Sequence, residues 1–198
     1  MVKYPGGYQK NNNNQTLGRG KSNLGKGLEV DINKTNEYYL VYDLAVVHKK
    51  PTPIQVVNVR YPNRKMAEIT KAFYTTASTT DYNGVYKGRA IDFEAKQTSS
   101  TTSFSFSLIH DHQIKHLERV INHHGIAFII IRFSVLDETY YVEAEKVIKL
   151  YFQKRRSIPY KWFKENAYLI PYSLTPPIDY LKVIDQLYFK GDTDGKQR

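Results

Sequence analysis

The segment from residue 79 to residue 96 constrains the fold more than any other part of this sequence. Residues 90–96 alternate strictly between apolar and polar side chains, which is typical of a strand with one face toward a core. Lys87-Gly88 suits a two-residue hairpin turn, so this strand is expected to pair with the segment that precedes the turn. The residue numbers of paired positions then add up to 175, as 87 and 88 do.

This pairing is expected to bring acidic side chains together. Asp92, Glu94 and Lys96 share the polar face of the second strand. Asp81 is expected opposite Glu94, and Thr79 opposite Lys96. Directly opposed carboxylates repel each other, and a divalent cation between them removes that penalty. Because hard oxygen ligands suit Mg²⁺ or Mn²⁺, the pattern predicts a metal site with a lysine beside it.

Spacing alone leaves two interpretations of the hairpin open. A metal held by Asp81 and Glu94 could activate water for phosphodiester hydrolysis, with Lys96 stabilising charge on the phosphate or positioning the water. Alternatively, the hairpin is a surface element with a Lys–Glu pair worth less than about 1 kcal/mol. The second interpretation is favoured on spacing alone, because an Asp followed by Glu-x-Lys arises by chance in many proteins.

The overall composition indicates a cytoplasmic protein with a polyanionic partner. The 198 residues suffice for one domain, and 29 basic against 19 acidic residues give a net charge of +10. This excess favours nucleic acid or an anionic membrane surface as the partner. The absence of cysteine excludes disulfides and thiolate zinc sites. The longest apolar run, residues 126–131, is too short to cross a membrane.

Hydrophobic periodicity predicts an α/β fold with a mixed sheet flanked by helices. Helices are expected over about 28–43, 111–123, 143–153 and 178–189, and strands over 54–59, within 78–96, and over 126–133 and 139–142. Gly125 is expected to cap the second helix, and residues 98–107 are expected to form a Ser/Thr-rich loop. We therefore predict a single domain over 28–190, between a flexible basic arm (1–27) and a polar tail (191–198).

Two basic–aromatic stretches are candidates for nucleic-acid binding. Residues 60–74 and 154–164 combine lysines and arginines with aromatic side chains. Cations bind phosphates and aromatic rings stack on exposed bases. The alternative for each stretch is a solvated charged face whose aromatic side chains belong to the core.

Several histidines around residues 110–124 raise the possibility of a zinc site. His112 and His116 are four residues apart and could share a helical face. No acid–histidine metalloprotease motif accompanies them, so an ordinary helix is the preferred interpretation. Asp92, expected opposite Asn83, is interpreted as a supporting or structural residue of the acidic hairpin.

Longer stretches of the sequence carry a family resemblance. An Asp followed on the next strand by Glu-x-Lys is similar to the PD-(D/E)xK nuclease superfamily, and the chain resembles its branch of RecU-type Holliday-junction resolvases. The matching stretches are LEVDINKTNEYYL (28–40), AVVHKKPTPIQVVNV (45–59), STTDYNGVYKGRAIDFEAK (78–96), HDHQ (110–113) and IDYLKVIDQLYF (178–189). Thr80 stands where the superfamily has proline, in the Thr-Thr-Asp form of this branch.

The resemblance implies a Mg²⁺-dependent nuclease, with Mn²⁺ as a substitute. The implied fold is a restriction-endonuclease-like α/β domain with a protruding stalk over about 60–76. Asp81, Glu94 and Lys96 become catalytic residues, and Thr79 and Gln113 join the two acids as metal ligands. The implied activity is resolution of four-way DNA junctions by paired symmetric nicks, in recombination and repair.

The resemblance also implies DNA contacts and partners. The implied DNA-binding residues are Lys26, Arg60, Arg64, Lys65, Lys71, Phe73 and Tyr74. A homodimer is expected, because two equivalent sites suit a four-way junction, with a recombinase or branch-migration helicase as a further candidate partner. Two rival functions stay open. One is a non-catalytic nucleic-acid-binding protein on the same fold, and the other is a nuclease for other branched DNA.

Overall fold

The structure, a computed structural model, is built on a central six-stranded sheet. It describes residues 27–63, 66–75 and 79–189. The basic arm up to residue 26, Arg64, Lys65 and the C-terminal tail therefore lie outside the described residues. In spatial order its strands are β1 (Val46–Lys49), β4 (Tyr82–Tyr86), β5 (Arg89–Thr98), β7 (Ile126–Phe133), β8 (Glu138–Glu143) and β10 (Tyr168–Ile170). Strands β5 and β7 are parallel, and the other neighbours are antiparallel.

The described ranges contain ten strands and five α-helices. The helices are α1 (Leu28–Val41), α2 (Asp111–Asn122), α3 (Ala144–Phe152), α4 (Tyr160–Asn166) and α5 (Tyr180–Tyr188). The strands are β1 (Val46–Lys49), β2 (Ile54–Arg60), β3 (Glu68–Tyr74), β4 (Tyr82–Tyr86), β5 (Arg89–Thr98), β6 (Ser103–Ser105), β7 (Ile126–Phe133), β8 (Glu138–Glu143), β9 (Ser157–Pro159) and β10 (Tyr168–Ile170). None of these helices is long and apolar enough to cross a membrane.

Helices cover both faces of the sheet. On one face, side chains of α1 and α5 such as Ile32 and Ile184 pack with Phe93 of β5. On the other face, Ile114 and Leu117 of α2 pack against β7. All eight residues of β7 are buried, as the apolar run at residues 126–131 predicts for most of the strand. The predicted α/β fold, a mixed sheet flanked by helices, is confirmed.

The β4–β5 hairpin has the predicted turn and register. Lys87 and Gly88 both have positive φ, 45° and 76°, as a two-residue turn that follows the strand twist requires. Tyr82 pairs with Phe93 and Asn83 with Asp92, so paired residue numbers add up to 175. The ladder is shorter than predicted on one side, since β4 begins at Tyr82 while β5 continues to Thr98.

Strand β1 lies unusually close to β4 at one point. Gly84 pairs with Val47, and a Cβ atom added at position 84 would lie 2.1 Å from the backbone oxygen of Val46. Real Cβ atoms do not approach backbone this closely. The spacing between β1 and β4 therefore depends on glycine at this position.

Two local predictions were wrong. The residue with left-handed backbone at the end of α2 is His124 (φ 62°), and Gly125 follows it. Gly125 is required for another reason, because a Cβ atom there would lie 2.5 Å from Cγ1 of Val120. Residues 98–107 contain regular secondary structure, namely β6 and the start of a 3₁₀ helix (Phe106–Leu108). Their Ser-Phe alternation was hidden by a Ser/Thr-rich composition.

Strands β2 and β3 form a separate two-stranded hairpin, which corresponds to the stalk region. They pair only with each other among the described strands, with a register irregularity around Asn58. Every residue of β3 is exposed, and in β2 only Val59 is partly covered. Isolated two-stranded hairpins are only marginally stable in water, because stability requires a third strand or packing against a helix.

Candidate active site

Asp81 and Glu94 contact each other where strand β4 begins. The backbone N–H of Asp81 donates a hydrogen bond of 3.2 Å to Oε2 of Glu94. In return the N–H of Ala95, beyond the last β4 partner, donates to Oδ2 of Asp81 at 3.5 Å. The Asp81 side chain thus takes the place of a strand partner for β5. The structure brings the two predicted acids together.

Glu94 is a buried carboxyl group with an incomplete set of partners. Its exposure is 0%, and burial, followed by the nearby Asp81, raises its pKa from 4.5 to about 8. Nζ of Lys96 lies 2.6 Å from Oε1 of Glu94 and opposes this increase in pKa. The contact is an ion pair without hydrogen-bond geometry, since Oε1 has no hydrogen-bond partner. Lys96 therefore offsets only part of the increase in the pKa of Glu94.

These residues fit a divalent cation. A cation would offset the repulsion between Asp81 and Glu94 and would give the buried Oε1 of Glu94 a partner. Within the described ranges, no group of three or more His, Asp or Glu could hold a metal ion. A site here therefore needs neutral oxygen ligands or water in addition to the two carboxylates, as is common for Mg²⁺.

Thr79 and Gln113 line the same cleft as Asp81. This cleft, of about 480 Å³, lies between the end of β1 and the start of α2. Gln113 is 6% exposed, and its Oε1 accepts a hydrogen bond of 3.0 Å from the N–H of His110, which caps α2. One lone pair of that oxygen is thus already used. Gln113 is close enough to share the cleft, and it would bind a cation through the remaining lone pair.

A polar cluster around Asp92 was missed by the sequence analysis. The Asp92 carboxylate accepts hydrogen bonds from the hydroxyl group of Thr80 and, at 2.9 Å, from Nζ of Lys50. Nε2 of His116 lies 3.0 Å from Oδ2 of the same carboxylate. The supporting position predicted for Asp92 agrees with these contacts. A buried carboxylate such as that of Asp92 requires such partners, but neither its burial nor its partners are visible in the local sequence pattern.

Four of the seven candidate DNA-binding residues lie within the described part of the chain, all on the β2–β3 hairpin. Arg60 ends β2, while Lys71, Phe73 and Tyr74 lie on β3. Phe73 and Tyr74 are 55% and 83% exposed, and Nζ of Lys71 lies 5.4 Å above the Phe73 ring. Lys26, Arg64 and Lys65 lie outside the described residues, so their predicted roles stay predictions.

In the second basic–aromatic stretch, residues 154–164, the aromatic side chains belong to the core, as the alternative interpretation predicts. Phe163 is fully buried in the core beneath α2 and α3, and Trp162 packs against that core. The hydroxyl group of Tyr160 donates to the Glu138 carboxylate. The aromatic side chains of 154–164 therefore hold α4 onto the sheet.

Comparison with known proteins identifies the family. The model of the RecU family, described as Recombination protein U, matches residues 23–186. The chain belongs to the RecU family. It is 48% identical to the Holliday junction resolvase RecU of Oceanobacillus iheyensis, over 95% of this chain and 100% of that protein. It is 45% identical to the Holliday junction resolvase RecU of Bacillus subtilis, over 99% and 100%.

The RecU match covers the whole candidate site. Residues 23–186 include the β4–β5 hairpin, the start of α2 and the separate β2–β3 hairpin. The resemblance inferred from the sequence motifs is thereby confirmed. The individual roles of Thr79, Asp81, Glu94, Lys96 and Gln113 stay predictions, supported by their contacts in this structure.

The raised pKa of Glu94 predicts that stability falls as the pH rises when divalent cations are absent. Glu94 keeps its proton up to about pH 8 in the folded protein, whereas its ordinary pKa is 4.5. Between these values the folded state binds more protons than the unfolded state, so the free energy of unfolding decreases with pH. We expect a loss of a few kcal/mol between pH 5 and pH 8.5, measured by urea unfolding with a chelator.

Glu94→Gln is the control for this pH effect. The amide has a similar shape and does not ionise, so this variant should lack the part of the slope that Glu94 causes. Adding Mn²⁺ at pH 8.5 should restore stability to the unmodified protein and not to Glu94→Gln. If stability depended on pH equally in the two proteins, Glu94 would have its ordinary pKa in the folded protein.

Proposed function

We propose that this protein is a Holliday junction resolvase, an endonuclease that cuts four-way DNA by paired symmetric nicks. The observation that carries the proposal is the contact between Asp81 and the buried Glu94 beside Lys96, in a chain of the RecU family. Nucleolytic cleavage of junctions would serve homologous recombination and DNA repair. The net charge of +10 suits a DNA substrate.

In this proposal Asp81 and Glu94 hold a Mg²⁺ ion, with Thr79 and Gln113 as neutral ligands. When bound, a divalent cation supplies a Lewis acid that lowers the pKa of water and offsets negative charge on the phosphate. Glu94 must give up its proton to bind the cation, and its pKa of about 8 places this event near physiological pH. Mn²⁺ is expected to substitute, because it accepts the same oxygen ligands.

Lys96 is proposed to stabilise charge on the scissile phosphate or to hold the attacking water. Its side chain is 20% exposed, on the same strand face as Glu94. In the present structure its ammonium group compensates Glu94. A cation bound at the two carboxylates would take over that compensation, which leaves Lys96 available to the substrate.

The β2–β3 hairpin is proposed to select junctions. A four-way junction has an open centre with high phosphate density and bases that can unstack. Lys71, Phe73 and Tyr74 are exposed on this hairpin, and such side chains can contact phosphates and stack on bases without reading sequence. A homodimer would present two equivalent sites to two equivalent strands. We expect this complex in the cytoplasm, where a recombinase or branch-migration helicase could join it.

A metal-dependent nicking assay tests the proposal against its rivals. The substrates are a four-way junction, a flap and a linear duplex of equal length, each at the same salt concentration. The proposal predicts Mg²⁺-dependent paired nicks in the four-way junction and little cleavage of the other two. Preferred cleavage of the flap would indicate a nuclease for other branched DNA, and binding without cleavage would indicate a non-catalytic protein.

Shortening the β2–β3 hairpin should weaken junction binding selectively. Asn58 pairs with Lys71, so residues 59–70 can be replaced by an Asn-Gly turn that keeps the strands beyond this pair. We expect affinity for four-way junctions to fall by at least about tenfold, because the deletion removes three basic residues and the exposed Tyr61, and a phosphate or stacking contact is worth about 1 kcal/mol or more. Affinity for linear duplex should change much less, as measured by electrophoretic mobility at matched salt.

A charge-matched control separates shape from net charge. The shortened hairpin loses Arg60, Arg64, Lys65 and Glu68, which lowers the net charge by two. The double variant Lys161→Ala/Lys182→Ala removes two positive charges from exposed side chains elsewhere. It should weaken junction and duplex binding alike. Equal losses on both DNAs in the shortened variant would reduce the hairpin to a general basic surface.

A further inference from the structure

The Asp92 carboxylate lies at a point where four segments of the chain meet. Lys50 comes from the end of β1, Thr80 precedes β4, Asp92 lies on β5, and His116 lies on α2. Besides their contacts with Asp92, Lys50 and Thr80 contact each other, since Nζ of Lys50 donates to Oγ1 of Thr80 at 3.0 Å. The side chains of Lys50, Asp92 and His116 are all at least three-quarters covered.

Three of these segments also carry the proposed metal ligands. Thr80 is flanked by Thr79 and Asp81 in the chain. Asp92 is two residues from Glu94, on the same face of β5. His116 is one helical turn after Gln113 in α2. Thr80, Asp92 and His116 therefore each lie one to three residues from a proposed ligand, and the contacts of Asp92 connect the segments that carry the four ligands.

The fourth segment holds Asp81 by its backbone. The N–H of Lys50 donates a hydrogen bond of 2.7 Å to the backbone oxygen of Asp81, while the Lys50 side chain reaches Thr80 and Asp92. The β4 ladder ends at Tyr82, so regular strand pairing does not fix the residues before it. The position of Asp81 thus depends on its contacts with Lys50, Glu94 and Ala95.

We infer that Lys50, Thr80, Asp92 and His116 form a positioning network that sets the spacing of Thr79, Asp81, Glu94 and Gln113 for a divalent cation. The network residues bind each other, and the cation is held by their neighbours in the chain. Buried polar groups with a complete set of partners fix one arrangement of the elements they join, which suits this role. The inference rests on the proposed function, because it assigns the network to the same metal site.

A purely structural cluster would predict a different outcome. Removing a buried hydroxyl group from any part of the core destabilises the protein, whether or not a metal site lies nearby. Thr35 provides a matched comparison, because it is a buried threonine whose Oγ1 accepts a hydrogen bond of 3.0 Å from the N–H of Ile178. Thr35 lies on α1, in the core on the other face of the sheet.

The test compares Thr80→Val with Thr35→Val in the full-length protein. Mn²⁺ binding is measured by calorimetry without DNA, and junction cleavage is measured against Mg²⁺ concentration. We expect Thr80→Val to weaken Mn²⁺ binding at least about tenfold, the usual cost of losing an outer partner of a metal site. Saturating Mg²⁺ should recover most of the cleavage rate. Thr35→Val should lose comparable stability and bind Mn²⁺ like the unmodified protein.

Two further variants complete the design. Thr80→Ser keeps the hydroxyl group, so its affinity for Mn²⁺ should lie within about threefold of that of the unmodified protein. Smaller differences in affinity are not interpreted. His116→Leu removes the contact from α2 at a partly exposed position, so it carries the same test if Thr80→Val does not fold. His116→Leu should also weaken Mn²⁺ binding, whereas His116→Gln retains a polar group near Asp92 and should weaken it less.

The outcomes separate this inference from the proposed function. Glu94→Gln should lose Mn²⁺ binding if the metal site itself is correctly placed. Loss in Glu94→Gln together with unchanged Mn²⁺ binding in Thr80→Val and His116→Leu would overturn the network and leave the proposed function standing. Unchanged binding in Glu94→Gln would instead overturn the metal site, and with it the inference.

Discussion

The Glu94→Gln variant is expected to lose junction cleavage by at least about 10³-fold while it still binds junctions. A metal ion contributes several kcal/mol of charge stabilisation to phosphodiester cleavage, and each 1.4 kcal/mol corresponds to about tenfold in rate. Glutamine keeps the shape of Glu94 and removes its charge, and the same reasoning applies to Asp81→Asn. Because phosphate affinity is expected from basic side chains elsewhere in the chain, junction affinity should change little.

The buried position of Glu94 adds a second expectation for the same variant. Because burial and Asp81 raise the pKa of Glu94, its carboxylate form is unfavourable in the metal-free fold. Glu94→Gln should therefore be at least as stable as the unmodified protein at pH 8 with a chelator. Gain of stability with loss of activity distinguishes a functional carboxylate from a structural one. Near-normal Mg²⁺-dependent nicking by either Glu94→Gln or Asp81→Asn would refute the active-site assignment.

The Lys96→Ala variant is expected to lose about 10²–10³-fold in the single-turnover cleavage rate. This is the usual effect of removing one positioned donor from a charged transition state. The assay requires saturating Mg²⁺, because Lys96 also lowers the pKa of Glu94 and its loss hinders ionisation of that carboxyl group. Rates measured across Mg²⁺ concentrations separate this indirect effect on metal binding from the direct effect on chemistry.

Lys115 offers a matched control for Lys96. It is an exposed lysine on α2 that forms an ion pair with Asp111 at 2.5 Å, one helical turn away. Lys115→Ala removes the same charge from a position outside the cleft and should cleave within about twofold of the unmodified protein, since exposed ion pairs contribute little. A decrease of less than about tenfold in Lys96→Ala at saturating Mg²⁺ would assign Lys96 to the ion pair alone.

The parts of the fold that follow local rules were predictable from the sequence. Turn chemistry at Lys87-Gly88 fixed the register of β4 and β5, and the pairing of Asn83 with Asp92 follows from it. The apolar run at residues 126–131 of β7 indicated a strand covered on both faces. Both inferences depend on neighbours in the chain and on a geometry with few alternatives.

The parts that depend on distant segments were not predictable from residue patterns. Alternation placed Glu94 on a polar face, but α2 covers that face, which makes Glu94 fully buried. Gln113 entered the predicted site only through the family resemblance, and its burial, to 6% exposure, results from tertiary packing. The contacts of Lys50 and His116 with Asp92 join residues 42 and 24 positions apart. No local pattern encodes such pairings.

Gly84 has a consequence for how the active-site cleft can change in evolution or by design. A single methyl group at this position would push β1 away from β4, since it would meet the backbone of Val46 and Val47. The end of β1 leads directly to Lys50, whose backbone and side chain hold Asp81 and Asp92. The cleft therefore cannot be widened in small steps by substitutions at Gly84, because even the smallest side chain displaces β1. If the β2–β3 hairpin selects the substrate as proposed, the substrate range can change there instead, because its exposed side chains can be exchanged without moving the sheet.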